Sequence, residues 1–130
     1  MSTTTSLERF APIVVDDPAD SRLDDIRNLN KSDSRPDLPG GKGLVIAEGT
    51  LIVPRLVRSR FPLRAVFGTR QKLASLADGL TASEAAIAET VPWFELDREV
   101  LAAAAGFDLH RGLLATADRA PELLVDQVLS

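Results

Sequence analysis

Apolar positions along the chain fall into short clusters separated by polar, Gly- and Pro-rich punctuation, and the clusters follow two different periods. Compact apolar-rich runs at Leu44–Ala47, Leu63–Phe67, Val91–Leu96 and Leu113–Thr116 predict strands. Between them, more widely spaced apolar residues stand behind capping side chains and predict helices. Asp17-Pro18-Ala19-Asp20 supplies a cap, a proline for the first helical position and an acid for the first turn, so a helix is expected from Pro18 to Asn28 with Leu23, Ile26 and Leu29 inward. Thr50 is expected to cap a second helix, with Pro54 at its fourth position, Leu51, Ile52, Val53 and Leu56 facing the core, and Phe61-Pro62 as its stop.

Thr69 caps a third pattern through Leu73, Leu76 and Ala77, closed by Gly79. Thr81-Ala-Ser-Glu84 spells a capping box before a short helix ending near Thr90. Asp97 opens the last helix, through Leu101 and four consecutive alanines, and Gly106 stands where a left-handed stop is expected. From Asn28 to Gly43 the chain turns to Asn, Ser, Asp, Pro and Gly, and predicts its longest loop. Strands alternating with helices predict an α/β domain of three layers: a central mixed sheet of about four strands with helices on both faces. The expected organisation is a flexible leader over residues 1–11, a folded domain over 12–119 and a linker over 120–130.

Composition bounds the functions available. With 130 residues, 45% hydrophobic and 26% charged, the chain suits one globular domain. It has no apolar run near the roughly 18 residues of a membrane span and no secretory leader pattern, so a cytoplasmic protein without a membrane partner is expected. The absence of Cys and a single histidine, His110, exclude disulfides, a thiol nucleophile and the usual Cys/His zinc sets. A net charge of −4 opposes indiscriminate binding to nucleic acid, so charge placement decides the matter.

That placement is uneven. Between Gly49 and Ala77 stand Arg55, Arg58, Arg60, Arg64, Arg70 and Lys72 and no acid. Arg55 and Arg58 share a helix face by spacing, and the group reads either as a phosphate-binding flank or as a solvated surface paired with acids from elsewhere. Asp16, Asp17, Asp20, Asp24 and Asp25 lack the ligand alternation, turn glycine and final Glu of a calcium loop, and read as helix capping. Pro39-Gly-Gly-Lys-Gly43 lacks the leading Gly and the Ser/Thr of a phosphate loop, leaving Lys31, Arg35 and Lys42 on a surface loop. His110 has no nucleophile or oriented acid around it in sequence, so catalysis within this chain is not expected. Glu48-Gly49 ends a strand, where a carboxylate can hold backbone amides or orient an arginine.

Three separated pieces carry a resemblance. Asp17-Pro-Ala-Asp-Ser-Arg22, Leu44-Val-Ile-Ala-Glu-Gly49 opening a helix, and Gly106-Phe-Asp-Leu-His-Arg-Gly112 followed by Leu113-Leu-Ala115 together resemble the amino-terminal substrate-binding domain of the TrmH/SpoU family of RNA 2′-O-ribose methyltransferases. The resemblance implies an L30e/L7Ae-like fold that recruits and positions tRNA or rRNA for a following SPOUT domain. That second domain would bind S-adenosylmethionine and dimerise; the family's catalytic motifs have no counterpart here, and no cofactor is expected in this chain. The resemblance makes Glu48, Gly49 and Gly112 family-motif positions and, with the charge pattern, makes Arg55, Arg58, Arg64, Arg111 and His110 the expected RNA contacts. RNA would be read by shape, since the chain offers few aromatic side chains for stacking. The alternative is a protein-interaction or dimerisation module whose tail from Pro121 docks a partner.

Overall fold

The computed structural model describes residues 6–27, 29, 44–106, 109 and 111–118. The expected linker, the Asn30–Gly43 loop, His110 and residues 1–5 of the expected leader lie outside them; the rest of that leader is described, with a 3₁₀ helix over Ser6–Phe10 that buries Leu7 and Phe10 in the core. Five strands form one sheet: β1 (Ile13–Val14), β2 (Leu44–Glu48), β3 (Leu63–Gly68), β4 (Trp93–Glu95) and β5 (Leu113–Asp118), in the order β1-β4-β3-β5-β2. β1 pairs parallel with β4 and β4 with β3, whereas β5 runs antiparallel to both β3 and β2. Four strands therefore point one way, and β5, wedged between β3 and β2, points back.

Alternation along the strands divides the core. Val66, Trp93, Leu113, Ala115 and Ala117 face one side, where they meet a 3₁₀ helix over Ser6–Phe10 and the helices α1 (Val53–Val57), α2 (Arg70–Gly79) and α3 (Ala82–Ala88). Ala65, Phe67, Phe94 and Leu114 face the other, against a second 3₁₀ helix over Ser21–Ile26 and α4 (Arg98–Ala105). Period-2 side chains buried on both faces are what a sheet covered by two layers demands. Trp93 is fully buried, stacks on Phe10 with centroids 4.0 Å apart and donates its indole N–H to the Ala88 carbonyl at 3.1 Å.

The expected α/β fold, with helices on both faces, is thus present, with one strand more than anticipated. Ile13-Val14 is too short to announce a strand, yet it completes the exposed side of β4. Caps behave as the sequence indicates: Thr69 accepts from the Lys72 amide, Thr81 and Glu84 form the reciprocal box, Asp97 accepts from the Val100 amide, and Gly106 ends α4 at φ 91°.

Two expected helices differ. In place of an α-helix from Pro18 there is a 3₁₀ helix over Ser21–Ile26, capped by Asp20 rather than Asp17. Asp17 instead accepts the Ala19 amide at 2.9 Å, closing a tight turn, and the Arg27 guanidinium occupies the Pro18 and Asp20 carbonyls at 2.7 and 2.8 Å. α1 does not start at Thr50. Gly49, at φ 94°, turns the chain out of β2, the Val53 amide closes that turn on the Gly49 carbonyl at 3.0 Å, and Pro54 lies in the first helical turn. The shift leaves Leu51 and Ile52 facing solvent, at 75% and 44% exposure, while Val53 and Leu56 are buried as expected.

Candidate nucleic-acid interface

Because four strands share a direction, their carboxyl ends line one edge of the sheet together with the start of β5. In α/β folds this edge is where ligands bind, since loops leave the strands there and helices present their amino ends. Here the edge is built around close backbone approaches. Gly68, at the end of β3, has room for no side chain: a Cβ would lie 2.9 Å from the Gly112 carbonyl oxygen. That carbonyl accepts the Thr69 amide at 3.1 Å, and the Gly49 amide donates to the Leu113 carbonyl at 3.0 Å. The ends of β2 and β3 are thereby tied to the segment entering β5.

These ties bring together residues far apart in sequence. The aliphatic stem of Arg111 lies across Gly49, so close that a Cβ on Gly49 would sit 2.7 Å from Arg111 Cδ. Gly112, at φ 64°, packs beside Thr69 and the Lys72 stem. Gly49, which follows Glu48 at the end of β2, is thus brought against Arg111 and beside the Gly112–Leu113 segment, a meeting that their separate positions in sequence do not announce. Arg111 and Lys72 carry no ion pair or side-chain hydrogen bond among the described residues, and neither does Arg55, exposed on α1 one helical turn from Ile52. His110, next to Arg111, lies outside the described residues.

The expected single cationic flank is not what forms. Arg58 pairs with the nearly buried Glu84 at 2.8 Å, tying α1 to α3. Arg64 sits at the opposite end of β3, roughly 13 Å of strand away from Gly68. There it pairs with Asp25 at 2.7 Å and Asp118 at 2.8 Å. Arg70 pairs with Glu95 at 3.0 Å, and Arg60 lies over the Phe61 ring at 5.4 Å. Three of the six cations therefore meet acids, on different sides of the domain. The Arg64 guanidinium is held well above its ordinary pKa by its hydrogen bonds to Asp25 and Asp118. The Thr81 amide, then Arg58, hold the Glu84 carboxyl below its usual range.

A cleft of ≈ 470 Å³ opens on the same edge between the ends of β1 and β4 and the first turns of α2 and α4. Thr69, Arg70 and Lys72 line one wall, and Asp16, Asp97 and Arg98 lie across from them. Sequence spacing gave Lys72 no special rank among the six cations; the signal lies in the fold, which seats it against Gly112. Among the described residues no group of three His, Cys, Asp or Glu side chains is placed to hold a metal, and no helix is long and apolar enough to cross a membrane.

No family model matches the chain. It is similar to an uncharacterized tRNA/rRNA methyltransferase of Mycobacterium tuberculosis and to another of Mycobacterium bovis, at 50% identity over 114 residues in each case. The matched region is 88% of this chain and 38% of the relative, so the chain spans less than half the length of these curated relatives. Its fold is similar to that of a crystal structure of an rRNA methyltransferase from Sinorhizobium meliloti, with a TM-score of 0.52 and 13% identity, over 81% of this chain and 36% of that one.

Proposed function

We propose that this chain is an L30e-like, RNA-recruiting domain of the TrmH/SpoU type, positioning tRNA or rRNA for 2′-O-ribose methylation by a SPOUT domain that follows it in a longer protein. The observation that carries the reading is the carboxyl-end edge, where Arg55, Arg111 and Lys72 stand without acidic partners among the described residues, on backbone fixed by Gly49, Gly68 and Gly112. Unpaired guanidinium and ammonium groups on a rigid platform suit phosphate oxygens, which position a nucleic acid without reading its bases. The names of the relatives, which cover this region at 50% identity, agree with that chemistry.

On this reading the methyl donor, S-adenosylmethionine, and the dimer contacts belong to the further domain. This chain contributes binding and orientation, in the cytoplasm where its RNA resides. Arg58 and Arg64, already engaged with Glu84 and with Asp25 and Asp118, hold the scaffold instead of the ligand.

The test is fluorescence anisotropy with labelled tRNA and rRNA fragments over a salt series. Affinity should fall steeply with salt. Arg55→Ala with Arg111→Ala should flatten the log–log slope by roughly 1.4–1.8, since each phosphate no longer neutralised removes about 0.7–0.9 from it. Arg64→Ala should leave the slope in place. Salt-independent binding, or an Arg64→Ala effect as large as that of Arg111→Ala, defeats the assignment.

A further inference from the structure

The parallel strands β3 and β4 are neighbours in the sheet, yet the chain leaves them toward opposite faces. After Gly68 it enters α2, whose Leu73 and Leu76 pack on one side of the sheet; after Glu95 it enters α4, whose Val100 and Leu101 pack on the other. The two connections diverge and leave a crevice between the carboxyl ends of the strands. In open α/β sheets such a switch of faces is where small ligands are held, because chain from both sides frames a space that the sheet does not fill. The ≈ 470 Å³ cleft stands at this point. Thr69 and Lys72 line it from one connection, Leu96 and Asp97 from the other, and Val14 and Asp16 from the end of β1.

Most charges around the cleft are already engaged. Arg70 pairs with Glu95 at 3.0 Å, Asp97 accepts the Val100 amide at 2.8 Å, and Arg98 is engaged as well. Two charges remain. Neither the half-buried Lys72 nor the exposed Asp16 has an ion pair or side-chain hydrogen bond among the described residues. Arg22, which Asp16 attracts through space, is itself paired with Asp20 at 2.7 Å. Thr69 adds a donor beside Lys72: its hydroxyl oxygen accepts the Lys72 amide at 3.3 Å and keeps its proton to give. Between these poles lies apolar surface, with Val15 and Leu96 buried and Val14 65% exposed.

The cleft therefore complements a molecule with an anion at one end, an apolar middle and hydrogen-bond donors at the other. Size narrows the class. A sphere of that volume is roughly 10 Å across, within the range of ligand pockets. In a free amino acid the charged groups are two bonds apart, roughly 2.5 Å, too close to serve both walls. A nucleotide carries its phosphate and the N–H edge of its base at opposite ends. We infer that the cleft binds a free nucleoside monophosphate, with the phosphate on Lys72 and Thr69, the ring over Val14 and an N–H donor of the base on Asp16. The inference goes beyond RNA recruitment and does not depend on it, since a phosphate patch serving RNA alone has no use for the Asp16 carboxylate.

The experiment titrates the 130-residue chain with each of the four nucleoside 5′-monophosphates and with inorganic phosphate, followed by amide nuclear magnetic resonance shifts. At least one monophosphate should give saturable shifts at Thr69, Lys72 and Leu96, with a dissociation constant of roughly 10–1,000 µM. Lys72→Met keeps the aliphatic stem beside Gly112 but removes the charge, and should weaken every monophosphate roughly tenfold. Asp16→Ala should weaken the preferred monophosphate roughly five- to tenfold and leave inorganic phosphate unaffected. Neither side chain has a partner to lose, and melts by circular dichroism check that both variants fold. Absence of saturable shifts overturns the inference. So does inorganic phosphate binding as tightly as any nucleotide with no effect of Asp16→Ala, which leaves a bare anion patch. A 5′-phosphorylated RNA tetranucleotide that outcompetes the monophosphate with the same dependence on Asp16 moves the ligand to an RNA end and overturns its assignment as a free molecule.

Discussion

Substituting Gly49 by alanine tests the geometry on which the interface depends. Two costs follow from the structure. The first is backbone: φ is 94°, beyond even the left-handed helical well, and L residues are held there at a cost of about 1–3 kcal/mol. The second is steric. The new Cβ would meet Arg111 Cδ at 2.7 Å, where ordinary contact begins at 3.4 Å, so the arginine stem must withdraw by 3.4 − 2.7 = 0.7 Å or more. Because the stem is flexible and Arg111 is exposed, that withdrawal costs little stability but displaces the guanidinium.

Gly49→Ala should therefore lower stability by about 1–3 kcal/mol, a fall in melting temperature of roughly 5–15 °C for a domain of this size. It should also weaken RNA binding beyond what the unfolded fraction explains. Gly79→Ala is the matched control: no atom lies within 4 Å of its added Cβ, and the residue ends α2 without a left-handed φ. There the smaller set of unfolded conformations should leave stability unchanged or raise it by up to about 1 kcal/mol. Urea denaturation followed by circular dichroism separates the two. Equal stability of Gly49→Ala and the parent chain, or an equal loss at Gly79, would refute the argument that this glycine is required by conformation.

Glu84→Ala removes both the acceptor for the Thr81 amide and the partner of Arg58, and should cost about 1–2 kcal/mol in urea melts; Glu84→Gln, which keeps an acceptor oxygen, should lose less than half of that. Arg64→Ala leaves Asp25 and Asp118 without their shared cation. Because the guanidinium is 41% exposed, the loss is set at about 1 kcal/mol, with RNA affinity unchanged within roughly twofold. Stability should also fall in acid. Glu84 is held below its ordinary 4.5, and the Arg22 side chain and amide lower Asp20 from 3.8 to about 2. Each contribution is complete above the ordinary pKa and disappears as pH falls through the folded value, because the unfolded chain binds more protons in that interval. Urea midpoints should thus decline between roughly pH 4.5 and 2, and Asp20→Asn should make the decline shallower; a flat profile would contradict the hydrogen-bonding pattern.

The parts of the fold legible in the sequence are those set by local chemistry. Thr69, Thr81 with Glu84, Asp97 and Gly106 each fix a helix end within three or four residues, and all are found in those roles. The failures occur where a distant partner competes with the local signal. Asp17 looks like a cap until Arg27 takes the Pro18 carbonyl, and Thr50 looks like one until Gly49 and the entry to β5 set where the chain leaves β2. β1 is legible only once β4 is in place, since two residues have no period of their own. In the site, Glu48-Gly49 and Arg111-Gly112 were individually visible, but their meeting depends on β5 running antiparallel between β2 and β3, which no spacing announces.

Charge shows the same division and explains how an acidic chain can present a surface for an anion. A run of six cations without an acid suggests one binding flank, but its members stand on a helix, a turn, a strand and a second helix, so the fold sends them to different surroundings. Those carried toward acids are neutralised and join elements: Arg58 fastens α1 to α3, and Arg64 fastens β3 to the second 3₁₀ helix and to the end of β5. Those left at the carboxyl edge keep their charge available to solvent. Net charge therefore says little about a domain of this kind, because paired charges cancel both in the sum and in the field, while the sum adds the unpaired charges of either sign without regard to where on the surface they stand. What matters is the remainder that meets no acid among the described residues. Arg60 lies over the Phe61 ring, away from this edge, whereas Arg55, Arg111 and Lys72 remain together on it, and on the proposed reading it is there that a chain of net charge −4 offers available cations to RNA phosphates.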